Sequence, residues 1–154
     1  APNTLMGVFH PDLVGIQARV LQRLGARHAL IVYGREGLDE ISISGETMVG
    51  ELKDGRVQEY TVHPERFGLP VHDPRTLRVS TVEESRSMLI EALENKAGSQ
   101  RDIVAINAGA AIYASDRTVS FEDGVELAFE TVKSGAARAK LDEFVKFTQQ
   151  FTKP

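Results

Sequence analysis

Residues 28–33, His-Ala-Leu-Ile-Val-Tyr, form an unbroken apolar run, the pattern of a strand buried on both faces. A shorter run, residues 4–9, precedes it, and between the two Leu13, Ile16, Val20, Leu21 and Leu24 recur at the spacing of one helical face. Pro11 and Asp12 suit the first turn of that helix: proline has no amide hydrogen to leave unpaired there, and an acid favours the positive end of the helix dipole. Gly25 suits the stop. Two strands joined by a helix pair in parallel, so residues 4–33 predict a strand-helix-strand unit.

Past the second strand the chain reads Gly34-Arg35-Glu36-Gly37-Leu38-Asp39-Glu40. Gly34 and Gly37 permit turns that would aim both acids at one point, and hard cations such as magnesium take carboxylate oxygens together with phosphate and water. Acidic pairs in solvated loops are common, and the local spacing alone favours a plain surface loop. Ligands of open α/β sheets sit beyond the carboxyl ends of the strands, where Asp39 and Glu40 fall, which brings the metal-binding reading level with it.

The remainder is less chemical. Residues 46–52 and 56–62 read as strands around a turn at Asp54-Gly55, an antiparallel excursion expected to act as a flap over the sheet or loop. Residues 63–80, with Pro64, Pro70 and Pro74, read as an irregular connection whose His63 and His72 are expected to be solvated or satisfied locally. Thr81 and Glu84 make a capping box for a helix over 82–95. A helix over 101–113 is dense in alanine and glycine, predicting close packing by a neighbour, with Asn107 hydrogen-bonded inside. Ser120 caps a further helix ending at Gly135, and a last one places Ala137, Leu141, Phe144, Val145 and Phe151 on one side.

Composition removes several classes of function. With 18 basic and 22 acidic residues the net charge is -4, so no global field draws the chain to nucleic acid or a membrane surface. The absence of cysteine excludes disulfides, thiolate zinc sites and a cysteine nucleophile. The 4 histidines are not paired on a helical face, no apolar run reaches the length of a membrane span, and no leader opens the sequence; the expected setting is cytoplasmic. No Gly-rich phosphate loop, Gly-x-Ser-x-Gly elbow or nucleophile beside a base is found.

Taken together, Gly7-Val8-Phe9-His10-Pro11-Asp12-Leu13-Val14, Val32-Tyr33-Gly34, Gly37-Leu38-Asp39-Glu40-Ile41-Ser42, Glu65-Arg66-Phe67-Gly68-Leu69, Asn107-Ala108-Gly109-Ala110-Ala111 and Ser134-Gly135-Ala136-Ala137 resemble, in order and spacing, the C-terminal part of the anthranilate phosphoribosyltransferases. That family joins anthranilate to the ribose of phosphoribosyl pyrophosphate and releases pyrophosphate, the second step of tryptophan synthesis. The resemblance implies that Asp39 and Glu40 match the family's Asp-Glu pair, which helps bind Mg2+ against the pyrophosphate. No catalytic and no substrate-binding residue is carried over.

The fold the resemblance implies is α/β, a mixed, largely parallel sheet with flanking helices and a β-hairpin excursion. Residues 1–154 would be the C-terminal part of the phosphoribosyltransferase α/β catalytic domain, a fragment that lacks the N-terminal helical domain and the first part of the α/β domain. The family's Gly-Thr-Gly-Gly-Asp loop, its Lys-His-Gly-Asn-Arg segment and its anthranilate-contacting residues lie outside these residues, so this chain alone is expected to be inactive, and the homodimer belongs to the full-length enzyme. Two alternatives stand: a pyrimidine-nucleoside phosphorylase-like transferase, which shares the fold but uses phosphate as acceptor, and a non-catalytic α/β interaction module.

Overall fold

The computed structural model describes residues 1–151, and its organising strand is β2 (His28–Gly34). Side chains alternate across a strand, so β2 feeds two cores. Leu30 and Val32 join Ile41, Ile43, Val49, Ile106 and Phe121 on one face, while Ala29 and Ile31 join Val14, Ala18 and Leu52 on the other. Burial on both faces is what makes the strand read as an unbroken apolar run. β1 (Asn3–Gly7) lies parallel to it, Asn3 opposite His28 and Gly7 opposite Val32, and α1 (Asp12–Arg23) makes the crossover.

β3 (Thr47–Lys53) and β4 (Arg56–Val62) extend the same sheet in the order β1-β2-β3-β4. The turn between them is at Asp54 and Gly55, with φ of 50° and 72°. Two left-handed central residues match the twist of a hairpin, which is why Asp-Gly is a strong signal there.

Three expectations change. The sheet is mixed, but parallel pairing is confined to β1 and β2; β2 with β3 and β3 with β4 are antiparallel, so it is not largely parallel. The hairpin is not a flap. β3 lies within the sheet, between β2 and β4, because Val49 faces one core and Leu52 the other, so both its faces demand cover. Finally, α1 does not bury the stripe expected of it: Val14, Gly15 and Ala18 are buried, whereas Ile16, Val20 and Leu24 are exposed. The backbone at Val14 lies so near β3 that a Cβ on Gly50 would fall 2.9 Å from the Val14 carbonyl oxygen, and only the small-residue face of the helix fits that approach.

Two 3-10 turns, Pro64–Phe67 and Pro74–Leu77, carry the chain to the helices. α2 (Val82–Leu93) begins with the expected capping box, in which Thr81 accepts from the Glu84 amide and Glu84 accepts from the Thr81 amide. α3 (Ser99–Ala114) and α4 (Phe121–Lys133) cover the sheet face opposite α1. α3 and α4 touch backbone to backbone: a Cβ on Gly124 would lie 2.4 Å from the Gly109 carbonyl oxygen, as the small residues of α3 predicted. α5 (Ala136–Gln149) has no fully buried residue, and Phe144 and Phe147 are exposed. Its apolar stripe therefore covers less than its sequence implied. No helix among the described residues is long and apolar enough to cross a membrane.

Candidate functional site

β1 and β2 run in the same direction, so their carboxyl ends lie side by side, and the loop after β2 fills the space just beyond them. The loop closes tightly on itself. The Gly34 amide donates to the Leu38 carbonyl at 2.8 Å, the Gly37 amide returns to the Gly34 carbonyl at 2.9 Å, and Gly37 has φ 93°. The Ser42 hydroxyl donates to Glu36 and accepts from the Ser44 amide, while the Ser42 amide donates to the Thr47 hydroxyl. Ile41 and Ile43 are then buried in the core under α3.

Asp39 and Glu40 sit on the exposed side of this fixed loop, and among the described residues neither has an ion-pair partner. Gly7, the last residue of β1, is in direct contact with the backbone at Asp39: a Cβ there would lie 1.6 Å from the Asp39 carbonyl oxygen. From the other side comes Asn107 of α3. Its Oδ1 accepts from the Ile41 amide at 2.9 Å, and its Nδ2 donates to the carbonyls of Ile41 and Ile103 at 2.9 and 3.0 Å. The internal hydrogen bonding expected of Asn107 is thus present.

Between β1, the loop and α3 lies a cleft of about 380 Å³, with Leu5, Val32, Ile103 and Val104 as apolar wall and Asp39, Glu40 and Asn107 as polar groups. Two solvent-facing carboxylates without a cationic partner suit a hard cation that takes its other ligands from phosphate and water. Among the described residues there is no group of three or more His, Cys, Asp or Glu that could hold a metal ion.

The model of the glycosyl transferase family, a/b domain, matches residues 1–138. The chain belongs to this family. Anthranilate phosphoribosyltransferase of Ralstonia pickettii (strain 12J) is 62% identical over 151 residues, which is 98% of this chain and 44% of that protein. The enzyme of the same name from Burkholderia ambifaria (strain MC40-6) is 60% identical over the same share of each chain. Among solved structures, anthranilate phosphoribosyltransferase from Thermus thermophilus superimposes with TM-score 0.83 at 36% identity, over 93% of this chain and 42% of that one. The Saccharomyces cerevisiae enzyme in complex with PRPP and Mg superimposes with TM-score 0.79 at 25% identity, over 97% of this chain and 43% of that one. The chain thus spans less than half the length of the relatives it matches.

At the amino end of β2 this a/b domain carries a second polar cluster, which the sequence reading did not single out. His28, fully buried, lies between Asp116 at 2.6 Å from Nδ1 and Glu51 at 3.2 Å from Nε2. Glu51 also accepts from the hydroxyls of Tyr113 at 2.6 Å and Tyr60 at 2.9 Å, and Lys53 donates to the Tyr113 hydroxyl at 3.1 Å. Burial by itself would raise the Glu51 pKa, but the hydrogen bonds from His28, Tyr113 and Tyr60 outweigh it and hold the carboxyl down at about 2. Burial likewise opposes charge on His28, yet its hydrogen bonds to Glu51 and Asp116 leave its pKa raised. Both tyrosines are pushed up, first by burial and then by Glu51.

Every group in that cluster has a partner within it: both ring nitrogens of His28 face carboxylates, and both tyrosine hydroxyls donate to Glu51. One signal was available in the sequence: Glu51 follows Thr47 and Val49 on the inward-facing positions of β3, so the alternation alone turns a carboxylate inward. His63 is satisfied locally, as expected, 3.3 Å from Glu65, whereas His72 pairs at 2.8 Å with the buried Asp102 of α3, 30 positions away.

Proposed function

We propose that this chain is the C-terminal part of the α/β catalytic domain of an anthranilate phosphoribosyltransferase. In that enzyme it supplies the scaffold and two acids, Asp39 and Glu40, which hold Mg2+ against the pyrophosphate of phosphoribosyl pyrophosphate. One observation carries the reading: proteins of that name match 98% of the chain at 60 to 62% identity. The position of the acids beyond the carboxyl ends of β1 and β2, where ligands of α/β sheets bind, supports it independently of identity.

In the reaction a bond forms between the anthranilate nitrogen and the ribose carbon, the bond from that carbon to pyrophosphate breaks, and the amine gives up a proton. Magnesium, when bound, neutralises charge on the departing pyrophosphate. Asp39 and Glu40 concentrate negative charge at one side of the cleft and so fix where a cation settles. Leu5, Val32, Ile103 and Val104 form the adjoining apolar wall, which offers a cation no competing ligand, so the acids define its position. The amine attacks directly, so the chain has no need of a nucleophile. In this reading the 154 residues alone neither bind phosphoribosyl pyrophosphate tightly nor turn over. The homodimer and the cytoplasmic setting belong to the same proposal.

The test is consumption of anthranilate, followed by loss of its fluorescence, in the complete protein and in its Asp39→Asn, Glu40→Gln double variant. We expect activity in the first, and in the second a metal requirement raised at least tenfold, the lower end of what loss of metal-site groups produces. Cleavage of thymidine by phosphate with no use of anthranilate, or full activity of the double variant at unchanged magnesium, would overturn the assignment.

A further inference from the structure

We infer that Asn107 is a positioning residue for the Asp39–Glu40 pair, acting through the Ile41 peptide; the inference rests on the metal-binding reading of that pair. The geometry is specific. An amide N–H can only donate, so the Asn107 atom 2.9 Å from the Ile41 nitrogen is Oδ1, and Nδ2 must face the carbonyls of Ile41 and Ile103. The side-chain amide thus pairs with both polar groups of a single residue, as a neighbouring strand would, where no strand is present. The Ile41 nitrogen belongs to the same rigid peptide plane as the Glu40 carbonyl. Holding Ile41 therefore fixes the direction in which the chain leaves Glu40.

Two further contacts restrict the same segment. Ile41 is fully buried in the core, so it cannot rotate outward to relieve a lost bond. On the other side, Asp39 meets Gly7 with no room for a side chain. Asp39 and Glu40 are consequently held between β1 and α3 while their own side chains stay exposed and unpaired. A buried hydrogen-bonded amide that aims neighbouring ligands does for this loop what an outer-shell partner does for a metal-bound histidine, and loss of such partners costs about 10–100-fold in metal affinity or activity. A plain structural role for Asn107 would cost stability without altering metal affinity selectively.

The test uses the complete protein with Asn107→Leu, which removes all three hydrogen bonds, and Asn107→Asp, which keeps size and the acceptor for the Ile41 amide but sets an oxygen against two carbonyls. Two quantities are read: the dissociation constant of Mn2+ in the presence of pyrophosphate, by electron paramagnetic resonance, and hydrogen exchange of the peptide spanning residues 38–43. We expect Mn2+ binding weakened about tenfold or more in both variants, with faster exchange in that peptide. We further expect no additional weakening when either change is added to the Asp39→Asn, Glu40→Gln double variant. If Asn107→Leu does not fold, Asn107→Asp decides.

Unchanged Mn2+ affinity in a folded Asn107 variant, while the acid double variant binds weakly, would overturn the positioning role and leave the metal site standing. Unchanged affinity in the acid double variant itself would remove the metal site and this inference with it.

Discussion

Replacing Glu51 by glutamine tests the charge cluster at the amino end of β2. The substitution keeps the shape of the side chain but removes its charge and sets an amide among three donors, His28, Tyr60 and Tyr113. A carboxyl held at about 2 instead of its ordinary 4.5 represents about 3 kcal/mol of stability at neutral pH, since each pH unit is worth about 1.4 kcal/mol. Glu51 is only 13% exposed, so solvent screening reduces this little. The sign follows from the direction. A depressed carboxyl pKa gives stability that is fully present above 4.5 and is lost as pH falls toward 2. The raised His28 pKa acts oppositely: its contribution is full below 6.5 and is lost as pH rises through the folded-state value. Urea denaturation across pH 2–8 is the assay. At pH 6 the midpoint of Glu51→Gln should fall by roughly 1–3 M, taking about 1–3 kcal/mol per molar as the urea dependence, and the gap to the unsubstituted chain should close as pH approaches 2. NMR titration should also show the His28 pKa lowered in the variant. A loss below about 1 kcal/mol at pH 6, or one of equal size at both ends of the pH range, would refute the reasoning, because a cost that does not titrate is packing and not charge.

Two further substitutions probe close backbone contacts. Gly124→Ala would place a methyl 2.4 Å from the Gly109 carbonyl oxygen; overpacking costs about 1–3 kcal/mol and outweighs the gain of about 1 kcal/mol in helix propensity. A fall in melting temperature of a few degrees is expected, and a rise would mean that α3 and α4 separate freely. Gly7→Ala forces the loop at Asp39 away from β1, because its methyl would meet the Asp39 carbonyl oxygen at 1.6 Å. It should cost about 3 kcal/mol in chemical denaturation, at the upper end of overpacking, and an unchanged midpoint would contradict the contact.

What was legible in the sequence was local. The β2 strand, the Asp54-Gly55 turn and the Thr81 capping box depend on residues within a few positions of one another, and each appears where its pattern placed it. The face of α1 was misread because hydrophobicity alone marks Ile16, Val20 and Leu24, while the choice of face depends on Gly50, a residue of another strand that lets Val14 and Ala18 come close. The direction of β3 was hidden for a similar reason. An apolar strand preceded by a loop can add to either edge of a sheet, and only the pairing of Gly34 with Thr47 and of Ala29 with Leu52 decides it. The partners of His28 and Asn107 are farther still, Asp116 lying 88 positions from His28 and Ile41 lying 66 from Asn107.

The two ends of β2 show why residue type alone left the acidic pair undecided. At the amino end Glu51 and Asp116 both have His28 as a partner, so their charges are consumed within the fold. At the carboxyl end Asp39 and Glu40 are also carboxylates, yet no cation of the described residues pairs with them. A mobile loop would make that unremarked, since solvated carboxylates are ordinary. This loop is closed by its own amides, anchored by buried Ile41 and Ile43, and held by Asn107 on one side and Gly7 on the other. The held backbone, and not residue type, is what distinguishes this pair from an ordinary solvated one; the Asn107 variants test that support, and the Asp39→Asn, Glu40→Gln double variant tests the proposed metal site itself.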